Sequence, residues 1–196
     1  MELINNTSKT LRDDLSVEIK QGSKLSIAAA CFSIYAFEEL KKELKGIDEL
    51  RFIFISPTFT TEKAKKEKRE FYIPRLNRER SLYGTEFEVK LRNELSQKAI
   101  AKECAEWIKE KVTFKSNTSD KSIQGRLVVD DVGYTPINNF TTVELGCEKG
   151  NAISTTIVKD ASLAKTLITD FNEIWNDHRV LQEITNEVID SISVAY

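Results

Sequence analysis

Two short apolar runs set the frame for this chain. Leu25 to Phe32 (LSIAAACF) and Leu50 to Ile55 (LRFIFI) each read as a strand buried on both faces. Ala36 to Lys45 (AFEELKKELK), between them, reads as a helix, and Gly46 follows it. Ser56-Pro57 stops the second run. A strand–helix–strand opening of this kind favours parallel pairing through a right-handed crossover.

Around this unit other elements can be read. Leu11, Leu15 and Ile19 recur at four-residue spacing, which predicts an amphipathic helix over 9–21 with Gly22 as its stop. From Pro57 to about Thr85 the periodicity breaks: 61–72 (TEKAKKEKREFY) is polar and Ile73-Pro74 interrupts any helix. Ser96 to Lys111 is a strong helix with Ile100, Cys104, Trp107 and Ile108 on its apolar face. Val112 to Phe114, Arg126 to Val129 and Ala152 to Val158 read as strands, and Asp130-Asp131-Val132-Gly133 as a turn. Leu163, Leu167, Phe171 and Ile174 stripe a helix over 160–177, and 181–194 reads as a last helix. The expectation is one α/β domain over 1–196, with helices on both faces of a mixed β-sheet.

Composition narrows the function classes. With 40% hydrophobic and 31% charged residues, the 196-residue chain fills a core and is too apolar for a disordered one. No apolar run approaches the roughly 20 residues that cross a bilayer, and Met1 to Asn6 lacks the pattern of a signal peptide. The reading is a cytoplasmic protein with no membrane partner. Cys31, Cys104 and Cys147 are odd in number and far apart, which argues against a disulfide framework; Cys31 and Cys104 read as small core residues. With one histidine, His178, and no C-x-x-C pair, no metal site is expected. No phosphate-binding glycine loop is present, so this fragment is expected to need no nucleotide or other cofactor.

Two segments carry candidate chemistry. Glu86-x-Glu88-x-Lys90 has the acidic-x-Lys ending of metal-dependent nuclease sites, but no upstream Pro-Asp accompanies it, and a charged surface segment accounts for it as well. The net charge of −2 offers no global attraction to nucleic acid, yet its distribution is uneven. Residues 62–80 hold Lys63, Lys65, Lys66, Lys68, Arg69, Arg75, Arg78 and Arg80 against Glu62, Glu67, Glu70 and Glu79. Phe71, Tyr72 and Tyr83 are interleaved. Cations meeting phosphates beside aromatic rings that stack on bases fit a nucleic-acid contact. A solvated, salt-bridged surface loop fits the same residues, and the two readings stay open.

The order of elements and two stretches resemble the phospholipase D superfamily, and within it the phospholipase D-like domain at the N-terminus of certain bacterial superfamily-two (Swi/Snf-type) helicases. The first stretch is Lys24 to Ser33 with the following helix and Leu50 to Ile55. The second runs from Gln124 to Asp177, through Asn138-Asn139-Phe140-Thr141, Glu144-Leu145-Gly146 and Asn151, to Phe171-x-x-x-Trp175. Members that are enzymes carry H-x-K-x-x-x-x-D and then G-S-x-N. The histidine attacks phosphorus, while lysine and asparagine hold the phosphate oxygens. In this chain Gln124 stands in the place of the histidine and Arg126 in that of the lysine. Asp131 falls at the aspartate spacing and Asn139 at the asparagine, with Pro136-Ile137 where Gly-Ser would be. An amide is no useful nucleophile. Arg126 and Asn139 retain groups able to grip a phosphate, or are ordinary strand and loop residues.

The resemblance implies a non-catalytic module that binds DNA and positions a helicase motor in the same parent chain, and the chain's end at Ser193 to Tyr196, just after a helix, fits a domain of a longer protein. The alternatives are a degenerate dimerisation or protein-interaction module, acting as a homodimer or holding another subunit, and, more remotely, a metal-dependent nuclease.

Overall fold

The computed structural model of the chain describes residues 1–56, 94–148 and 154–195. In chain order their elements are β1 (Glu2–Ile4), α1 (Leu11–Glu18), β2 (Lys24–Ala29), α2 (Ile34–Glu39), α3 (Lys41–Leu44), β3 (Glu49–Phe54), α4 (Glu94–Lys111), β4 (Val112–Asn117), β5 (Arg126–Val129), β6 (Val132–Thr135), β7 (Ile157–Asp160), α5 (Ala161–Trp175), β8 (Leu181–Glu183) and α6 (Thr185–Ala195). The strands form one mixed sheet in the order β1-β7-β6-β5-β2-β3-β4-β8. β2, β3 and β4 run parallel at its centre, and the flanking pairs are antiparallel. Among the described residues no helix is long and apolar enough to cross a membrane.

The apolar runs are strands because both of their faces are covered. Leu25, Ile27 and Ala29 of β2, with Leu50, Phe52 and Phe54 of β3, join a large core that includes Leu11 and Leu15 of α1, Phe37 of α2, Ile108 of α4 and Val188 of α6. The alternate residues Ala28 and Ile53 face the other way, against Phe171, Ile168 and Trp175 of α5. Period-two alternation thus sorts one apolar sequence onto two helical layers. Phe32 sits deep in the first layer, with ring centroids 5.5 Å from Phe52, 5.2 Å from Phe114 and 5.7 Å from Phe140. Trp107 packs at 4.8 Å on Phe37 and donates its indole N–H to the Leu44 carbonyl at 2.9 Å. An indole buried this way keeps its polar edge satisfied.

Helix starts follow their caps. The Thr10 hydroxyl accepts the Asp13 N–H, the Ser33 hydroxyl accepts the Tyr35 N–H, and the Asp160 carboxylate accepts the Ser162 N–H. The first helix stops at Glu18, short of Gly22, whose φ of +81° instead serves the turn into β2. The single helix expected over 36–45 is two, because at Leu40 the backbone leaves helical geometry and its N–H bonds the Phe37 carbonyl, three residues back.

The sequence does not predict β1, and β6, β8 and β7 also differ from expectation. Val132 and Gly133, read as part of a turn, open β6 (Val132–Thr135): the turn is the two residues Asp130-Asp131, with Val129 opposite Val132. Asp130 adopts φ +49°, and its carboxylate accepts from Ser23 Oγ at 2.7 Å and from the Lys24 N–H at 2.9 Å. Aspartate tolerates this left-handed geometry better than most side chains. Leu181–Glu183, expected as helix, is instead β8, which covers the edge of β4. The strand read at 152–158 begins at Ile157 and extends to Asp160, residues 152–153 lying outside the described residues.

Candidate functional site

One end of the sheet gathers the segments that the sequence singled out. Past β2 the chain continues through Ala30 to Ser33, and there it meets 138–140. The Ala30 N–H donates to the Asn138 carbonyl at 2.9 Å, the Phe140 N–H to Cys31 at 2.8 Å, and the Ser33 N–H to Phe140 at 2.9 Å. This parallel bridge, Phe32 with Phe140, sets 138–140 against the chain leaving β2. Gly125, between Gln124 and Arg126, lies directly under Ile137: a Cβ there would stand 1.6 Å from the Ile137 carbonyl oxygen and 3.3 Å from that of Ala28. Only glycine permits so close a backbone approach. Gln124 and Asn139 are therefore brought to the same end of the sheet, Gln124 exposed and Asn139 half-buried.

Arg126 belongs to this end by its backbone, opposite Ala28 in the β2–β5 ladder. Its side chain, 5% exposed, turns toward α5. Nη1 pairs with the Asp170 carboxylate and donates to the Leu167 carbonyl at 3.3 Å, and Nε donates to the Gln124 carbonyl at 3.1 Å. A guanidinium bonded on these sides ties β5 to the middle of α5. Asp131 is exposed at the β5–β6 turn, at the opposite end of β5 from Gln124. Asp130, one residue earlier, makes the turn's bonds, and the spacing of a motif could not distinguish the two neighbours.

Glu144, six residues after Asn138, has a more particular environment. Its carboxylate accepts the Asn138 N–H at 2.8 Å and is also bonded by the Asn139 N–H. Burial nevertheless outweighs these donors and raises its pKa above the usual carboxylate range. The Glu144 carbonyl accepts the Asn6 side-chain amide at 2.7 Å, and Asn6 Oδ1 accepts the Leu11 N–H at 2.8 Å. The asparagine loop is thus braced against the start of α1. The signal in the sequence is a glutamate a few residues after an Asn-Asn pair, too short a pattern to read alone.

His178 stands exposed in the turn after α5. Cys104 is fully buried, and Cys31 is buried at 9% exposure. Burial pushes the Cys147 thiol up to about 12 and raises Cys104 as well. Among the described residues no cluster of three His, Cys, Asp or Glu side chains could hold a metal ion. Lys63, Lys65, Lys66, Lys68, Arg69, Arg75, Arg78 and Arg80 lie outside the described residues, as do Glu86, Glu88 and Lys90. Compared with known protein families and with curated proteins, the sequence matches none.

Proposed function

We propose that this chain is a non-catalytic, phospholipase D-like nucleic-acid-binding module that positions a DNA helicase or translocase motor of the same parent chain. The observation that carries the non-catalytic part is the pairing at one end of the sheet of Gln124 with a guanidinium already bonded to Asp170. An amide replaces the group that would attack phosphorus, and the neighbouring cation is held by the fold. Nucleic-acid contact is assigned to the basic, aromatic-interleaved segment 62–80. Arg126 joins it only on release from Asp170.

The test is binding of the chain to labelled duplex and single-stranded DNA across a salt series, with parallel cleavage lanes in EDTA and in magnesium. Affinity falls steeply with salt, because each phosphate contact releases counterions, and it drops when Lys65, Lys66, Lys68 and Arg69 become Ala. No cleavage occurs in either lane. Salt-independent binding, or none at low salt, overturns the DNA reading, and cleavage that needs magnesium favours the nuclease reading instead.

A second reading, an interaction or homodimer module, draws on the sheet edge. β1 is a three-residue edge strand on which Leu3 is 60% exposed, next to Met1 at 87%. Sedimentation of the wild type against Leu3→Glu distinguishes it: a dimer that the variant splits favours this reading, and a monomer in both excludes this edge.

A further inference from the structure

The face of the sheet beneath α5 carries two more cations besides Arg126. Arg51 of β3 and Lys115 of β4 both reach the Trp175 ring. The Arg51 guanidinium carbon lies 5.5 Å and Lys115 Nζ 4.4 Å from its centroid, and Arg51 is also 4.9 Å from Phe171. Phe171 and Trp175 stack at 5.7 Å and together make an aromatic floor. Neither cation has an ion-pair partner among the described residues. Glu49 and Glu183 act on Arg51 and Lys115 respectively only through space.

The fold accounts for part of this arrangement. Lys115 Nζ donates to the Trp175 carbonyl at 2.9 Å, at the C-terminus of α5, where a positive charge is favoured. Arg51 is different. Its guanidinium makes one hydrogen bond among the described residues, Nη2 to Ser26 Oγ at 3.0 Å, although it is partly buried. A guanidinium has five donors, and burial without partners is costly. Two cations held over one ring also repel each other. Burial is the first cause lowering Lys115's basicity, the Glu183 charge opposes it, and the Arg51 charge adds to the lowering.

We propose that Arg51 and Lys115 form a binding site for a phosphate group. The charges match: Arg51 offers a planar fork for two phosphate oxygens and Lys115 a point charge for the third. The aromatic floor fixes both side chains beforehand, so little freedom is lost on binding. The occupant is a phosphate group, carried either on a small phosphate or on a nucleic-acid backbone. The inference does not rest on the role assigned to segment 62–80.

The test uses the full chain and nuclear magnetic resonance of the Arg51 Nε–H and the Trp175 indole N–H. Sodium phosphate is titrated against sodium chloride at matched ionic strength, and a short oligothymidylate in a separate arm. Saturable shifts specific to phosphate identify a small-phosphate occupant; shifts with the oligothymidylate alone identify a phosphodiester. Arg51→Gln and Lys115→Gln each weaken the response by about tenfold or more, the loss of at least one charge-assisted bond, while Lys115→Arg stays close to wild type. Shifts that chloride reproduces, or a response unchanged in Lys115→Gln, overturn the site. Lys115→Gln decides the matter where Arg51→Gln does not fold. The Ala variants of Lys65, Lys66, Lys68 and Arg69 leave the phosphate response intact, so failure of the DNA reading and failure of this site are read separately.

Discussion

Gly125→Ala places a methyl group where the structure leaves no room. The new Cβ would stand 1.6 Å from the Ile137 oxygen and 2.8 Å from its carbonyl carbon, against the 3.4 Å at which ordinary contacts begin. The obstacle is backbone, so no side-chain rotation relieves it, and the 137 peptide must retreat by nearly 2 Å, the difference between 3.4 and 1.6 Å. That retreat pulls on the Ile137–Gly125, Ala30–Asn138 and Phe140–Cys31 hydrogen bonds. Overpacking of this kind costs about 1–3 kcal/mol, and each strained or lost bond about 1 kcal/mol more. The expected loss is about 4–6 kcal/mol, which for a chain of this size lowers Tm by roughly 10–20 °C. Thermal unfolding by circular dichroism, with urea midpoints as a check, measures it. Gly22→Ala is the control, since its Cβ meets nothing within 4 Å and only its φ of +81° is strained. About 1 kcal/mol is expected there. If Gly125→Ala melts within about 2 °C of wild type, or loses less than Gly22→Ala, then the approach of 124–126 to 137–140 is not the rigid contact described.

Three further outcomes follow from the same structure. Asp170→Asn leaves the buried Arg126 guanidinium with carbonyl partners only and is expected to cost about 1–3 kcal/mol, because Asp170 is itself half exposed; Arg126→Met, which removes the charge, is expected to stay within about 1 kcal/mol of wild type, and the reverse order in urea denaturation refutes the reading. Glu144 has a raised pKa in the fold, so its stabilising contribution is complete below the unfolded value and is lost as pH rises through the folded one. Glu144→Gln is therefore expected to gain Tm relative to wild type between pH 4 and pH 7, and a flat or falling difference contradicts this. In native protein at pH 8, Cys104 is expected to resist thiol reagents, and Cys147, with its thiol held near 12, to react far more slowly than in urea; equal rates in the two conditions would show that neither is sheltered.

The sequence by itself determined the elements whose signals are local. Leu25 to Phe32 and Leu50 to Ile55 are apolar apart from Ser26 and Arg51, a density of apolar residues that makes their cores, β2 and β3, central strands. The four-residue spacing in α1 and the stripes of α4 and α5 likewise follow from periods that each segment carries alone. Where two structures compete over a few residues, the tertiary fold chose. Leu181–Glu183 has a helical pattern, yet it is a strand because the edge of β4 offers unpaired backbone groups. β1 and β6 are three and four residues long, too short for any period, and exist only through their neighbours in the sheet. The site divides the same way. Residue types at 124, 126, 131 and 139 were legible in order, including an amide rather than an imidazole at 124. That Arg126 is bonded by Asp170, forty-four residues away, was not legible, nor was the meeting of Arg51 and Lys115 over Trp175. A side chain's chemistry is written in its own residue, but its partners are set by which distant segments the sheet brings beside it.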